Sequence, residues 1–376
     1  TFDGNASVRI GKLGNNSAVT VNGTATVLGD YTVNGAAITQ NAPVTTTSGN
    51  ITFTGGGAFS STGALTAGGG LYITGATSLS STAAWITNAA LDVTASGNIS
   101  TSSVAPITVN TGYLSLVSTG GTITIGKDLS APGNVTLTGT TATISQPVSS
   151  SGGSVSITAS TGAVSVAANV TASTSMSITP ATSYSGAGAL SAGTTLSITG
   201  GTSVNPTGNL TAGGNLTLSG SARITISSIT ASSTGGSVTI TAGTYASTDG
   251  GFYSNAGTIQ SAAGAITITA NAASSWGFYF EGGAKVQSTS GDITINGNAP
   301  STVWGGYLAG ASVLSSSGAI KVDTKSSYGL VNGYTATTNF GAISPATSSS
   351  SVSLIGNYYW DGSTTVNVRT SGSVVI

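Results

Sequence analysis

"VSITASTGAVSVAANVTASTSMSIT" (residues 155–179) opens and closes on nearly the same tetrapeptide, VSIT at 155 and MSIT at 176. Each tetrapeptide alternates apolar and polar residues. That is the period of a β-strand with one buried and one wet face. Between them lies a second apolar cluster, Val164, Val166 and Val170, set among Gly, Asn, Ser and Thr that favour turns. The unit is one strand, a turn, further short strands, and a return to the start.

The same alternation recurs through the chain. It appears as ITFT at 51, LYIT at 71, LDVT at 91, LSLV at 114, VTLT at 135, LSIT at 196, LTLS at 216 and VTIT at 238. The step is 20 to 23 residues. Beyond 240 it widens to 27 or 28, with ITIT at 266, ITIN at 293 and IKVD at 320, and a weaker VSLI at 352. YTVN at 31 and SVRI at 7–10 share the phase. A unit of 20 residues cannot close its own core, but stacking coil on coil buries a continuous one. The spacing therefore predicts an all-β chain forming one elongated parallel β-helix of about 15 coils. Coils of about 20 residues are expected over 1–240, and coils of about 27 over 241–376. Propeller blades have a repeat of about 40–50 residues, roughly twice the one seen here.

Composition agrees with a fold of this kind and narrows its function. The 376 residues include no Cys and no His, with eight Lys/Arg against nine Asp/Glu. So weak a field suits neither nucleic acid nor an anionic membrane surface. No apolar run approaches a membrane span. Without His there is no Ser-His-Asp triad and no His-based zinc site. The nine acids are scattered. Asp292 and Asp323, with Lys321 and Lys325, alone fall near one another on consecutive coils, which reads as a solvated group rather than a hydrolytic pair. No enzyme activity, cofactor or metal is expected. Asn-x-Ser/Thr triplets at Asn50, Asn134, Asn209 and Asn215 read as turn-to-strand starts. Outward Thr and Ser, such as Thr136/Thr138 and Thr239/Thr241, should stack in hydroxyl files. An ice-binding reading of these files is weakened by the mixed Ser and by Lys321/Asp323.

The units GNLTLSG, GGSVTITAG, SAAGAITITANA and STSGDITINGNA resemble the repeats of filamentous-haemagglutinin-like exoproteins, the two-partner-secreted and autotransporter-type adhesins of Gram-negative bacteria. The resemblance covers about residues 45 to 345. It implies a right-handed β-helix, export through an outer-membrane pore, and a secreted or cell-surface location. The Asn-Pro-Asn motifs of that family's secretion domain are missing. NPTGN at 205–209 reads as a turn, so the chain is placed in the repeat region.

Two kinds of partner follow as expectations. SGSVVI at 371–376 and NASVRI at 5–10 both read as unfinished repeats. Val8, Ile10, Val374 and Ile376 are thus candidates for head-to-tail self-association or for continuation into a longer exoprotein. The second candidate surface is aromatic. Fifteen of the 23 aromatics follow residue 240, with SSWGFYFEGGA at 274–284 the densest stretch. A constant spacing of 27 would align Tyr253, Phe280, Tyr307 and Tyr334 in one file, and Ile259, Val286, Val313 and Phe340 in another. Alternation would turn Trp276, Phe278 and Phe280 inward and Tyr279 outward. Tyr279, Trp304, Tyr358, Tyr359 and Trp360 are the candidate contacts for a glycan or another surface. The leading expectation is a structural shaft or filament subunit, and the alternative is a binding module.

Overall fold

The computed structural model describes residues 7–14, 16–102, 105–245, 250–274, 276–300, 304–326, 328–332, 337–341, 351–360, 366–370 and 373–375. Regular structure among them is β-strand throughout, in segments of two to eight residues. The chain divides into two compact units, Thr1–Ala181 and Thr182–Ile376. Each is a parallel β-solenoid in which a coil gives one strand to each of three sheets, and the coils number about 15.

The recurring tetrapeptides form the first sheet. In the first unit Ile51, Leu71, Leu91, Leu114, Val135, Val155 and Met176 pair successively in one column. In the second unit Leu196, Leu216, Val238, Ile266, Ile293, Ile320 and Val352 do the same. Every one of these side chains is buried. Complete burial of such a side chain contributes roughly 1.5–3 kcal/mol, so each coil is held mainly by what it turns inward. The pairing interval lengthens where the sequence does: Leu216 pairs with Val238, but Val238 pairs with Ile266 and Ile266 with Ile293.

Between strands the backbone must bend, and its polar groups need partners. Two side-chain devices supply them. Ser233, Ser261, Ser288 and Ser315 are buried, each three residues before a glycine. Their Oγ atoms accept from the amides of Gly236, Gly264, Gly291 and Gly318 at 2.9–3.0 Å. The hydroxyls of Ser261, Ser288 and Ser315 also donate to the carbonyls of Gly236, Gly264 and Gly291 on the preceding coil. This S-x-x-G corner is a second repeat that the alternation pattern does not reveal. The other device is an Asn or Asp placed just before a first-sheet strand. Oδ1 of Asn50, Asn134, Asn215 and Asp292 accepts from the backbone amides of Gly70, Ser154, Ser237 and Ala319 on the next coil, at 2.7–2.9 Å.

The first unit carries an inward polar column of Gln40, Ser61, Ser81 and Thr101 at the end of its second sheet. Gln40 Nε2 donates to the Ala42 carbonyl at 2.6 Å and Ser61 Oγ to the Gly63 carbonyl at 2.9 Å. Beside this column lies Lys127, 1% exposed. Its Nζ donates to the Ala83 carbonyl and to Ser81 Oγ, and sits 6.0 Å from the centroid of the Trp85 ring. Burial pushes its pKa down from 10.5 to about 8.

Outward residues of the first sheet do form hydroxyl files. Thr239, Thr267 and Thr294 pair in one, and Thr241 and Thr269 in the next, which then passes to the amide of Asn296. In the first unit the file through Thr52 passes through Tyr72 and Asp92 before reaching Ser115 and Thr136. A continuous hydroxyl array is therefore not what this face presents.

Candidate functional site

The aromatic-rich stretch splits between the inside and the outside of the second unit. The strand Phe278–Glu281 pairs with Phe252–Asn255 and with Gly306–Leu308 in the second sheet. Phe252, Phe278 and Phe280 are buried, with ring centroids 5.4 Å apart for Phe252 and Phe280 and 5.5 Å for Phe278 and Phe280. These rings fill the enlarged coil. Gly306 takes the place of a third phenylalanine in the Phe252–Phe278 column, and a Cβ there would lie 2.1 Å from Phe278 Cζ.

Outside, the register differs from the 27-residue reading. Tyr253 pairs with Tyr279, Tyr279 with Tyr307, Tyr307 with Val331 and Val331 with Tyr359. Phe280 lies opposite Ser254 and Leu308 instead, and Tyr334 falls outside the described residues. The correction has a physical cause: extra residues enter at different corners, so second-sheet intervals vary while third-sheet intervals between Ile259 and Phe340 stay at 27. On the third sheet Ile259, Val286, Val313 and Phe340 do form one buried column.

Trp276 also departs from the expected alternation. It precedes the strand by two residues, so strand geometry does not direct its side chain, and its ring packs with the outer tyrosines. The distances are 4.9 Å to Tyr307, 6.1 Å to Tyr279, and 6.1 Å to Trp304 at an interplanar angle of 14°. Tyr279 stacks on Tyr307 at 4.5 Å and 13°, and Tyr253 follows at 5.7 Å and 35°.

Two neighbouring exterior files result. The signal for them is a four-residue motif, GGFY at 250, WGFY at 276, WGGY at 304, YGLV at 328 and GNYY at 356. Its first position supplies Trp276, Trp304 and Tyr328, and its fourth Tyr253, Tyr279, Tyr307, Val331 and Tyr359. Trp304 meets Tyr328 at 5.3 Å and Tyr359 at 5.7 Å, tilted 54° and 52°.

At the other end of this ladder Glu281 accepts from the Tyr253 hydroxyl. Asn255 Nδ2 donates to Glu281 Oε1 and to the Tyr253 hydroxyl, both at 3.3 Å. The Arg223 guanidinium lies 4.9 Å from the Tyr253 ring centroid. Burial, reinforced by the Glu281 carboxylate, raises the pKa of both Tyr253 and Tyr279 above the ordinary phenol value. These hydroxyls stay protonated through the neutral range.

Tyr279, a sequence candidate for ligand contact, thus has rings against both faces. Aromatic pairs of this kind contribute about 0.5–1.5 kcal/mol each beyond area burial. Tyr279→Ala is expected to destabilise the second unit by about 2 kcal/mol, read as a lower denaturant midpoint. An unchanged midpoint would show that the ladder contributes nothing to stability.

The remaining candidates are placed as follows. Tyr358 is half-buried and pairs with Leu330, its pKa raised by burial and by Asp323. Tyr359 is 58% exposed, and the side chain of Trp360 lies outside the description. Val8 and Ile10 are half-buried and pair with Tyr31 and Val33, while Val374 is exposed and pairs with Val352. Ile376 is outside the described residues. Lys321 and Asp323 form an ion pair at 3.1 Å, and Asp292 spends Oδ1 on its backbone cap.

On the third sheet of the second unit a groove of about 200 Å³ is lined by Ser232, Gln260, Gln287, Thr289 and neighbours, with no acid or base among its lining residues. Among the described residues no group of three Asp or Glu could hold a metal ion, and no helix is long and apolar enough to cross a membrane. No family model, curated protein or solved structure matches the chain.

Proposed function

We propose that the chain is a structural, extracellular β-solenoid, the shaft of a bacterial surface adhesin or of a self-assembling surface filament, without catalytic turnover. One observation carries this reading. The inward first-sheet residues of successive coils form buried columns from Ile51 to Met176 in the first unit and from Leu196 to Val352 in the second, while strand backbones pair coil to coil. Among the described residues, such an interior is spent on holding coils together. Few charges and no cysteines also suit a chain exported unfolded and folded outside.

The test is surface accessibility in the producing cells. Brief protease treatment of intact cells should remove the protein from immunoblots while a cytoplasmic marker survives. Protection until the cells are lysed would overturn the extracellular assignment. Electron microscopy of the same cells with a specific antibody should place label on surface projections.

A further inference from the structure

We propose that the rings of Trp304, Tyr328 and Tyr359 form a binding seat for a neutral linear polysaccharide. The proposal is independent of the shaft reading. Three observations lead to it. Tyr328 and Tyr359 are 49% and 58% exposed, the two most exposed aromatic side chains among the described residues. Both touch Trp304 but are tilted 54° and 52° from it, so they splay instead of stacking and keep ring faces open. The rings further along the ladder cannot do this, because Tyr279 with Tyr307 and Trp276 with Trp304 lie nearly parallel and cover one another.

Val331 explains the change from stack to splay. It stands between Tyr307 and Tyr359 in their file and is buried, 7% exposed. A side chain this small lets Tyr359 lean past its own neighbour to reach Trp304. The three rings come from three successive coils, so the seat extends about 10 Å along the stacking direction. The stacked ladder behind holds Trp304 in place, which lowers the ordering cost of binding.

The occupant follows from chemistry. Tyrosine and tryptophan combine a broad apolar face with one hydrogen-bonding tip. A pyranose offers the complement, an apolar C–H face ringed by hydroxyls. None of the three side chains is charged, which matches a neutral polymer better than a sulfated or uronic one. An anionic lipid surface would call for clustered Lys and Arg, and the whole chain has eight.

The experiment uses the full chain in affinity electrophoresis and pull-down on cellulose, chitin, starch and a mixed-linkage β-glucan, with heparin and alginate as charged controls. Retention by at least one neutral polymer, little changed by salt, is expected. Tyr328→Ala/Tyr359→Ala should weaken it at least tenfold, while Tyr113→Ala, an exposed tyrosine of the first unit, should not. Circular dichroism and melting establish that the variants are folded. If the double variant does not fold, indole emission of the wild-type chain titrated with soluble oligosaccharide gives a second reading. A saturable change that disappears in Trp304→Phe is expected there. Failure to bind any neutral polymer, retention by heparin or alginate alone, or undiminished binding by the folded double variant would each overturn the proposal. So would a loss of sedimenting mass in that variant without any effect on sugar, since the face would then join copies of this chain.

Discussion

Raising the pH from 8 to 10 is expected to stabilise the first unit by about 2 kcal/mol, and Lys127→Met is expected to abolish that rise. Lys127 holds its proton with a pKa of about 8 when folded, against 10.5 when unfolded. Between those values the unfolded chain binds more protons, so stability increases with pH; below pH 8 both states are charged and the slope vanishes. Tyr31 opposes it at higher pH. Burial raises its pKa from 10.0 to about 12, so above pH 10 the unfolded chain loses protons first and stability falls. A plot of midpoint denaturant concentration against pH should therefore peak near pH 10 for the wild type. For Lys127→Met the ascending limb should be missing and the descending limb kept. The net change at pH 7 is smaller, because the variant also leaves the Ala83 carbonyl without its lysine donor, a loss of about 1–3 kcal/mol. An ascending limb that survives in the variant would mean that Lys127 is not the group responsible.

The second large effect belongs to the glycine column at the S-x-x-G corners. A Cβ on Gly291 would lie 2.2 Å from the Gly264 carbonyl oxygen and 2.3 Å from its carbon, and one on Gly318 would lie 2.2 Å from the Gly291 oxygen. These neighbours are backbone, so no rotamer change relieves the collision. The coils would have to part at the corner where Ser288 and Ser315 hold them. Gly291→Val is expected to destabilise the second unit by roughly 3 kcal/mol, lowering its Tm by roughly 10 °C. Gly56→Ala is the matched control, since nothing lies within 4 Å of its added carbon. Its expected effect is within about 0.5 kcal/mol. Equal effects from the two substitutions would contradict the corner account.

How far the fold could be read in advance depended on which residues carried the signal. Ile51, Leu71, Leu91 and their successors are spaced by whole coils and alternate with hydroxyl residues, so strand period and coil length were both legible. The third-sheet column from Ile259 to Phe340 was legible for the same reason. The Tyr253 file was not. Its true intervals are 26 from Tyr253 to Tyr279, 28 from Tyr279 to Tyr307 and 24 from Tyr307 to Val331. Residues added and removed at corners cancel over several coils but shift each strand locally. The shared marks of those strands are local: Gly at the second place of GGFY, WGFY, WGGY and YGLV, and Tyr at the fourth place of all but YGLV. Lys127 gave no sign of being inside, because a polar residue in a turn reads as solvated until the corner's direction is known. The S-x-x-G serines were hidden likewise: in so serine-rich a chain, the buried ones look like the rest.

The candidate aromatic surface was legible in composition but not in role. Tyr279 and Trp304 were both marked by position, yet ring angles decide what each can do. Tyr279 lies within the stack, whereas Trp304 stands where parallel packing ends.

The proposed shaft rests on coil-on-coil packing within each unit, and single-molecule stretching between the two ends of the chain tests that most directly. Coils held by their neighbours should resist and release in small steps. Each step should lengthen the chain by about 7 nm for coils of 20 residues and by about 10 nm for the longer ones. Extension at forces typical of an unfolded polypeptide, or release of the entire chain in a single step, would contradict the account.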